Sequence, residues 1–136
     1  MKPFMDNNFL LDSETARILY HHYASEMPII DYHCHVNPKE IAENKKYKNI
    51  TEIWLGADHY KWRAMRMCGV EEQFVAGNAD FSEKYAKYAS IFPRLAGNPL
   101  YYWTQMELGL IFDIHEPLGP DTAEGIRERA NAKLAD

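Results

Sequence analysis

Cysteine is scarce in this chain. Only Cys34 and Cys68 occur among its 136 residues, and the two positions do not form the regular spacing of a disulfide framework. The sequence therefore excludes a small secreted domain that is held together mainly by disulfides. A reduced, cytoplasmic setting is the simplest expectation for such a chain.

Excess positive charge and long apolar runs are also missing. The chain has 15 Lys and Arg against 20 Asp and Glu, which gives a net charge of −5, and its one basic cluster is Lys45–Lys46. A nucleic-acid partner is therefore not expected. No apolar run approaches the roughly 20 residues that span a bilayer, and the first residues lack the apolar segment of a signal peptide, so we expect no membrane partner.

Strand-like sequence is limited to one clear stretch, although apolar residues make up a normal 46% of the chain. Residues 29–36 read Ile-Ile-Asp-Tyr-His-Cys-His-Val and lie between Pro28 and Pro38. Side chains two positions apart on a strand point to the same side, so His33 and His35 would project together. Two neutral imidazoles make half of a zinc site, although most such pairs in soluble chains bind no metal. Cys34 would face the other way, as a small buried apolar residue.

The rest of the chain shows helix signals. Capping residues are followed by apolar residues at helical spacing, and aromatic residues at this spacing predict a packed core containing Trp54, Trp62, Met65 and Trp103. The predicted helix starts are Asp12 or Ser13, Asn37–Pro38, Asn49, Asp58, Asp80, Asn98–Pro99 and Asp121–Thr122.

One strand among helices predicts an incomplete α/β architecture. A single strand cannot satisfy its own backbone hydrogen bonds, and the only other stretch arguable as a strand is Gly109–Phe112. We therefore expect residues 1–36 to hold a first helix and a first strand. We expect residues 37–136 to be mostly helical, and the whole chain to be the front part of something longer.

Four sequence motifs resemble those of a known family. They are Met-Lys-Pro-Phe-Met at 1–5, Met-Pro-Ile-Ile-Asp-Tyr-His-Cys-His at 27–35, Trp-Leu-Gly-Ala-Asp-His-Tyr-Lys-Trp-Arg at 54–63, and Gly-Asn-Pro-Leu-Tyr at 97–101. On the basis of these motifs, nearly the whole chain resembles the N-terminal part of the uronate isomerases (glucuronate isomerases), of the amidohydrolase superfamily. Tyr102 and Gln105 depart from the residues expected there.

The resemblance implies a fold and a reaction. The fold would be a metal-dependent hydrolase-like (β/α)₈ TIM barrel, with residues 37–136 as a mostly helical insertion after the first strand. The reaction would convert D-glucuronate to D-fructuronate and D-galacturonate to D-tagaturonate, an aldose–ketose isomerisation. One divalent metal, zinc or another, is expected at the barrel mouth to polarise a substrate oxygen and so to lower the cost of an enediolate.

The resemblance also implies site residues, matched by position. His33 and His35 would bind the metal, and His59, Tyr60 and Arg63 would reach the sugar acid. Arg63 suits the substrate carboxylate because it can donate paired hydrogen bonds, although it could equally be an ordinary surface cation. His59 and Tyr60 would hydrogen-bond hydroxyls or move a proton between neighbouring carbons, as the catalytic residues.

The chain by itself is too short for the implied barrel. A (β/α)₈ barrel takes about 250 residues, so the metal ligand set here is incomplete and the isolated chain is expected to be inactive. Two alternatives stay open: a non-catalytic helical metal-binding or assembly module, and an amidohydrolase-type hydrolase. Apolar surface left by missing strands predicts a homo-oligomer or self-association.

Overall fold

The computed structural model describes residues 4–135, and the regular structure in this range is helical. The chain divides into two compact units, residues 1–37 and 38–136. A π-helical turn, Tyr20–Ala24, follows α1, and a 3₁₀ turn, Phe92–Leu95, follows α6. The helices are α1 (Glu14–Leu19), α2 (Pro38–Ala42), α3 (Ile50–Leu55), α4 (His59–Met67), α5 (Glu72–Val75), α6 (Phe81–Ile91), α7 (Pro99–Phe112) and α8 (Ala123–Leu134).

The first unit contains the predicted N-terminal helix in a shorter form. Ser13 caps α1, and its Oγ accepts a hydrogen bond from the Ala16 N–H at 3.0 Å. The helix gives way to the π-helical turn and ends before the predicted stop at Pro28, since none of its side chains is buried against a core. The first three residues of the family motif at 1–5 lie outside the described range.

The predicted strand at residues 29–36 is wrong for the chain as described. No residue between 4 and 135 is in a strand, and Ile29, Ile30 and Tyr32 are almost fully exposed. The physical reason is that a strand requires a neighbouring strand to pair its backbone N–H and C=O groups. The alternative strand at Gly109–Phe112 is also wrong, since these residues end α7.

Four helix starts in the second unit follow the predicted caps, whereas α8 begins after Thr122 without a hydrogen bond from a capping side chain. The Asn49 side chain accepts a hydrogen bond from the Glu52 N–H at 2.9 Å, and Asp80 forms a reciprocal capping box with Glu83. Asn98 caps α7, with Pro99 in the first turn. These predictions are confirmed because a cap is a local interaction of three or four residues.

The core of the second unit contains a cluster of aromatic rings and lies mainly between α3, α6, α7 and α8. Trp54 of α3 stacks on Tyr85 at a ring-centroid distance of 6.1 Å and meets Tyr88 edge-on at the same distance. The Tyr88 hydroxyl and Thr104 Oγ1 lie 3.0 Å apart, in a buried hydrogen bond between α6 and α7. This packing holds α3, and the helix that follows it, on a rigid base.

Core membership of the four expected residues is mixed. Trp54 and Met65 are buried, and Trp62 is half-buried with its indole N–H donating to the Leu55 carbonyl at 2.8 Å. Trp103 is half exposed, so its predicted place in the core is wrong. Trp103 lies on the exposed face of α7 together with other exposed apolar side chains, and the opposite face of the helix packs into the core. No helix within residues 4–135 is long and apolar enough to cross a membrane.

Candidate active site

The histidine pair lies in the first unit, in a segment without regular secondary structure. The His33 and His35 rings are 5.5 Å apart between centroids, at an interplanar angle of 65°. The Asp31 carboxylate accepts a hydrogen bond from the His33 backbone N–H at 3.2 Å. The two imidazoles are thus brought together as the sequence predicted, although no strand holds them.

The donor set fits zinc in kind but not in number. Neutral imidazole is a common zinc ligand, and a catalytic zinc site takes three protein ligands. Across residues 4–135, no group of three or more His, Cys, Asp or Glu side chains could hold a metal ion. Cys34 is exposed, contrary to its predicted burial, and its thiol donates to the Val36 carbonyl at 3.5 Å. The first unit therefore offers two ligands.

The other predicted site residues lie on the first two turns of α4, in the second unit. His59 and Tyr60 are in ring contact, with 4.7 Å between centroids. The Arg63 guanidinium carbon lies 5.5 Å from the centre of the Tyr60 ring. All three residues are exposed, so a ligand would have direct access to their polar groups.

Arg63 lies on α4 with its guanidinium exposed to solvent over the Tyr60 ring. Within residues 4–135 no carboxylate lies in ion-pairing distance of its guanidinium, which lies over the face of Tyr60. In contrast, Arg66, on the same helix, donates two hydrogen bonds to Glu72, one of them 2.8 Å long. An arginine that lies along a tyrosine ring keeps its N–H groups available for a planar carboxylate.

A part-buried ion pair lies at the start of the same helix, and it was not predicted from the sequence. Asp58 caps α4, with Oδ1 accepting from the Tyr60 N–H at 2.9 Å, while Oδ2 accepts from Lys61 Nζ at 2.8 Å. Partial burial acts to raise the pKa of Asp58, but the hydrogen bond and charge of Lys61, together with hydrogen bonds from the backbone N–H groups of Tyr60 and Lys61, outweigh it and hold the pKa below its usual value. The spacing Asp-x-x-Lys at a predicted helix start was the signal that could have found the pair.

The two residues that depart from the family pattern have structural surroundings. Tyr102 is half-buried and packs edge-on against Tyr101, with 6.0 Å between ring centroids. Gln105 is buried, donates to the Glu116 carbonyl at 3.3 Å and accepts from the Leu118 N–H at 2.9 Å. Gln105 thereby fastens the loop after α7 to the helix.

Comparison with known proteins identifies the family. The sequence pattern of glucuronate isomerase matches residues 1–136. The chain is 57% identical over 134 residues to a uronate isomerase of Brachyspira hyodysenteriae and 54% identical over 136 residues to one of Caldicellulosiruptor saccharolyticus. It also superposes on the crystal structure of a Thermotoga maritima uronate isomerase with a TM-score of 0.91 and 36% identity. The chain belongs to the glucuronate isomerase family.

The matched region is a minority of each relative. The comparison covers 98% of this chain and 29% of the Brachyspira protein, and 100% of this chain and 29% of the Caldicellulosiruptor protein. In the Thermotoga structure it covers 98% of this chain and 30% of the other. The mainly helical fold described above is therefore the fold of one segment of those longer enzymes.

Proposed function

We propose that the chain supplies the metal-binding histidines and part of the sugar-acid site of a uronate isomerase. The reaction would convert D-glucuronate to D-fructuronate and D-galacturonate to D-tagaturonate. The observation that carries the proposal is the exposed arginine of α4: Arg63 lies against Tyr60 and has no carboxylate partner within residues 4–135. Family membership over residues 1–136 supports the same reaction.

Arg63 is the proposed anchor for the substrate carboxylate. Its planar guanidinium can donate two parallel hydrogen bonds, and the contact with Tyr60 restricts its orientation. The carboxylate is the group that distinguishes a uronate from a neutral aldose. Arg63 would therefore contribute both affinity and selectivity.

His59 and Tyr60 are the proposed proton-handling residues. Aldose–ketose isomerisation removes a proton from C2 and from the hydroxyl on C2, and it adds a proton to C1 and to the oxygen on C1, with no net oxidation. An imidazole and a phenol that can each donate or accept are suited to such transfers. Their rings lie side by side at 4.7 Å, so both could reach neighbouring atoms of one small sugar.

His33 and His35 are the proposed protein ligands of one zinc or other divalent ion. When bound, the ion would act as a Lewis acid on a substrate oxygen. Because two ligands are fewer than a catalytic zinc site takes, we propose that the remaining ligands lie outside residues 4–135. The (β/α)₈ barrel expected from the family resemblance belongs to the same proposal.

The proposal extends to partners and location. The partner would be a small sugar acid rather than a nucleic acid or a membrane, as the acidic composition suggests. A homo-oligomer or self-associated state is expected from the exposed apolar side chains. A cytoplasmic location, expected from the few cysteines, completes it.

A chimeric enzyme tests the proposal directly. This chain would replace the matched segment of the Caldicellulosiruptor saccharolyticus uronate isomerase, with which all 136 residues align. We expect the chimera to isomerise D-glucuronate and D-galacturonate, as followed by formation of the ketose product, with the unaltered relative assayed in parallel. His33→Asn and His35→Asn should each lower metal content, measured by elemental analysis, together with turnover. A folded, metal-loaded chimera that converts neither uronate would overturn the proposal.

A further inference from the structure

The Asp58–Lys61 ion pair at the start of α4 is largely withdrawn from solvent. The two side chains retain only 19% and 8% of their accessible surface, respectively, whereas the Arg66–Glu72 pair at the end of the same helix is largely exposed. The Asp58 carboxylate contacts both the helix backbone and the ammonium group, since Oδ1 receives the Tyr60 N–H and Oδ2 receives Lys61 Nζ. The Asp58 side chain thus holds the first turn of α4 at two points, the Tyr60 backbone N–H and the Lys61 side chain.

Capping alone does not explain this arrangement. A serine in place of Asp58 would cap α4 about as well, and a lysine in the first turn is opposed by the partial positive charge of the helix N-terminus. Replacing a buried ion pair by apolar residues is often neutral or stabilising, so the pair is weak evidence of a contribution to stability. The better account is that the pair restricts where the first turn can lie.

The residues fixed by the pair are the ones proposed to meet the substrate. His59 and Tyr60 lie between Asp58 and Lys61 in the sequence, and Arg63 lies two residues further and contacts Tyr60. We infer that Asp58 and Lys61 are positioning residues, which hold His59, Tyr60 and Arg63 in the geometry that binds the sugar acid. This inference rests on the proposed function.

The ion pair also makes the two cations of α4, Lys61 and Arg63, differ in their access to a ligand. Asp58 binds the Lys61 ammonium group below the surface, while Arg63 is exposed and has no carboxylate partner within the described residues. A substrate carboxylate approaching α4 is therefore directed to Arg63 rather than to Lys61. Loss of either partner would free the first turn and, where Asp58 is lost, leave Lys61 as a competing cation.

The test uses three variants of the active chimera. Asp58→Ser keeps a capping oxygen and removes the ion pair, Lys61→Met keeps the cap and removes the ammonium group, and the double variant does both. We expect kcat/KM for D-glucuronate to fall about tenfold in each, with most of the change in KM, as expected when binding groups are misplaced. The double variant should fall no further than either single variant, because coupled residues are not additive.

Two control variants separate positioning from folding. Glu72→Gln removes the exposed ion pair of α4, and Lys84→Met removes a buried lysine of α6 whose Nζ donates to the Gly77 carbonyl at 2.6 Å. We expect Lys84→Met to lower Tm without raising KM, and Glu72→Gln to change neither. KM is independent of the fraction of enzyme that folds, so partial misfolding leaves the readout intact.

The outcomes for this inference and for the proposed function are distinct. An unaltered chimera without turnover contradicts the proposed function. An active chimera in which Asp58→Ser and Lys61→Met keep the parental KM contradicts the positioning role and leaves the proposed function in place. Additive losses in the double variant would also contradict it, since they would mean that the two side chains act independently.

Discussion

At the scale of single residues, the role proposed for Arg63 gives the most direct prediction. Its guanidinium lies against the Tyr60 ring at 5.5 Å and faces solvent. In the chimera we expect Arg63→Met to raise KM for D-glucuronate about ten- to a hundredfold, which is the effect of losing a charged hydrogen bond. Arg63→Lys should recover only part of the affinity, because an ammonium group cannot form the paired hydrogen bonds.

Arg66 provides the matched control for this prediction. It lies on the same helix and is bound to Glu72, so Arg66→Met should leave KM within about twofold, as for a surface substitution away from the site. Equal effects of the two substitutions would mean that the general positive charge of α4, and not Arg63 itself, attracts the substrate.

Two buried tyrosines of α6 allow a paired test of hydrogen bonding in the core. Tyr88 shares a hydrogen bond with Thr104, whereas the Tyr85 hydroxyl has no hydrogen-bond partner among the described residues. Tyr88→Phe leaves the Thr104 hydroxyl buried and unsatisfied, which should lower the free energy of unfolding by about 1–3 kcal/mol. Tyr85→Phe should leave it unchanged or raise it. Urea unfolding of both variants measures the difference, and equal losses would contradict the assignment.

At the scale of elements, the pH dependence of α4 follows from its cap. The pKa of Asp58 is held below its usual value of 3.8, because the Lys61 bond and charge and the backbone N–H groups of the first turn together outweigh the opposing effect of burial. A carboxylate with a lowered folded-state pKa contributes stability above its unfolded-state pKa, and this contribution is lost as pH falls through the folded-state value. Asp58→Ser should therefore be less stable than the parent near pH 7, and the gap should narrow below about pH 3.8.

Acid titration of the unfolding free energy for both proteins checks this prediction. Glu72→Gln serves as a comparison, since Glu72 also has a lowered pKa, caused first by its bond to Arg66, but is exposed. A gap between Asp58→Ser and the parent that stays constant down to acid pH would show that capping, rather than the ionised carboxylate, determines the difference.

The sequence predicted helix starts correctly where the start depends on a side chain that caps the helix within a few residues. The caps at Asn49, Asp58 and Asp80 each depend on a few neighbouring residues, and the structure contains all three. The strand at 29–36 depended on a partner strand that the described residues do not contain, and periodicity cannot reveal a missing partner. Lys61 was missed for a similar reason, since its burial depends on packing around α4 and not on its type.

At the scale of the whole molecule, the histidine pair predicts how the chain alone handles metal. His33 and His35 are close together, and no third ligand joins them within residues 4–135. We expect the purified 136-residue chain to bind zinc weakly, without stoichiometric metal after gel filtration, and to convert no D-glucuronate. Tight one-to-one zinc that is lost in His33→Asn would instead favour the self-sufficient metal-binding module.

The exposed face of α7 predicts how the 136-residue chain behaves at high concentration. Its apolar residues recur at helical spacing, at positions 103, 106, 110 and 111, and Leu110 keeps 81% of its surface exposed. A contiguous apolar stripe of this kind is characteristic of a contact surface. We expect concentration-dependent self-association in light scattering, and Leu110→Glu should reduce it without lowering Tm, because this side chain contributes nothing to the buried core. A parent chain that stays monomeric at every concentration would show that the stripe is too small to drive association by itself.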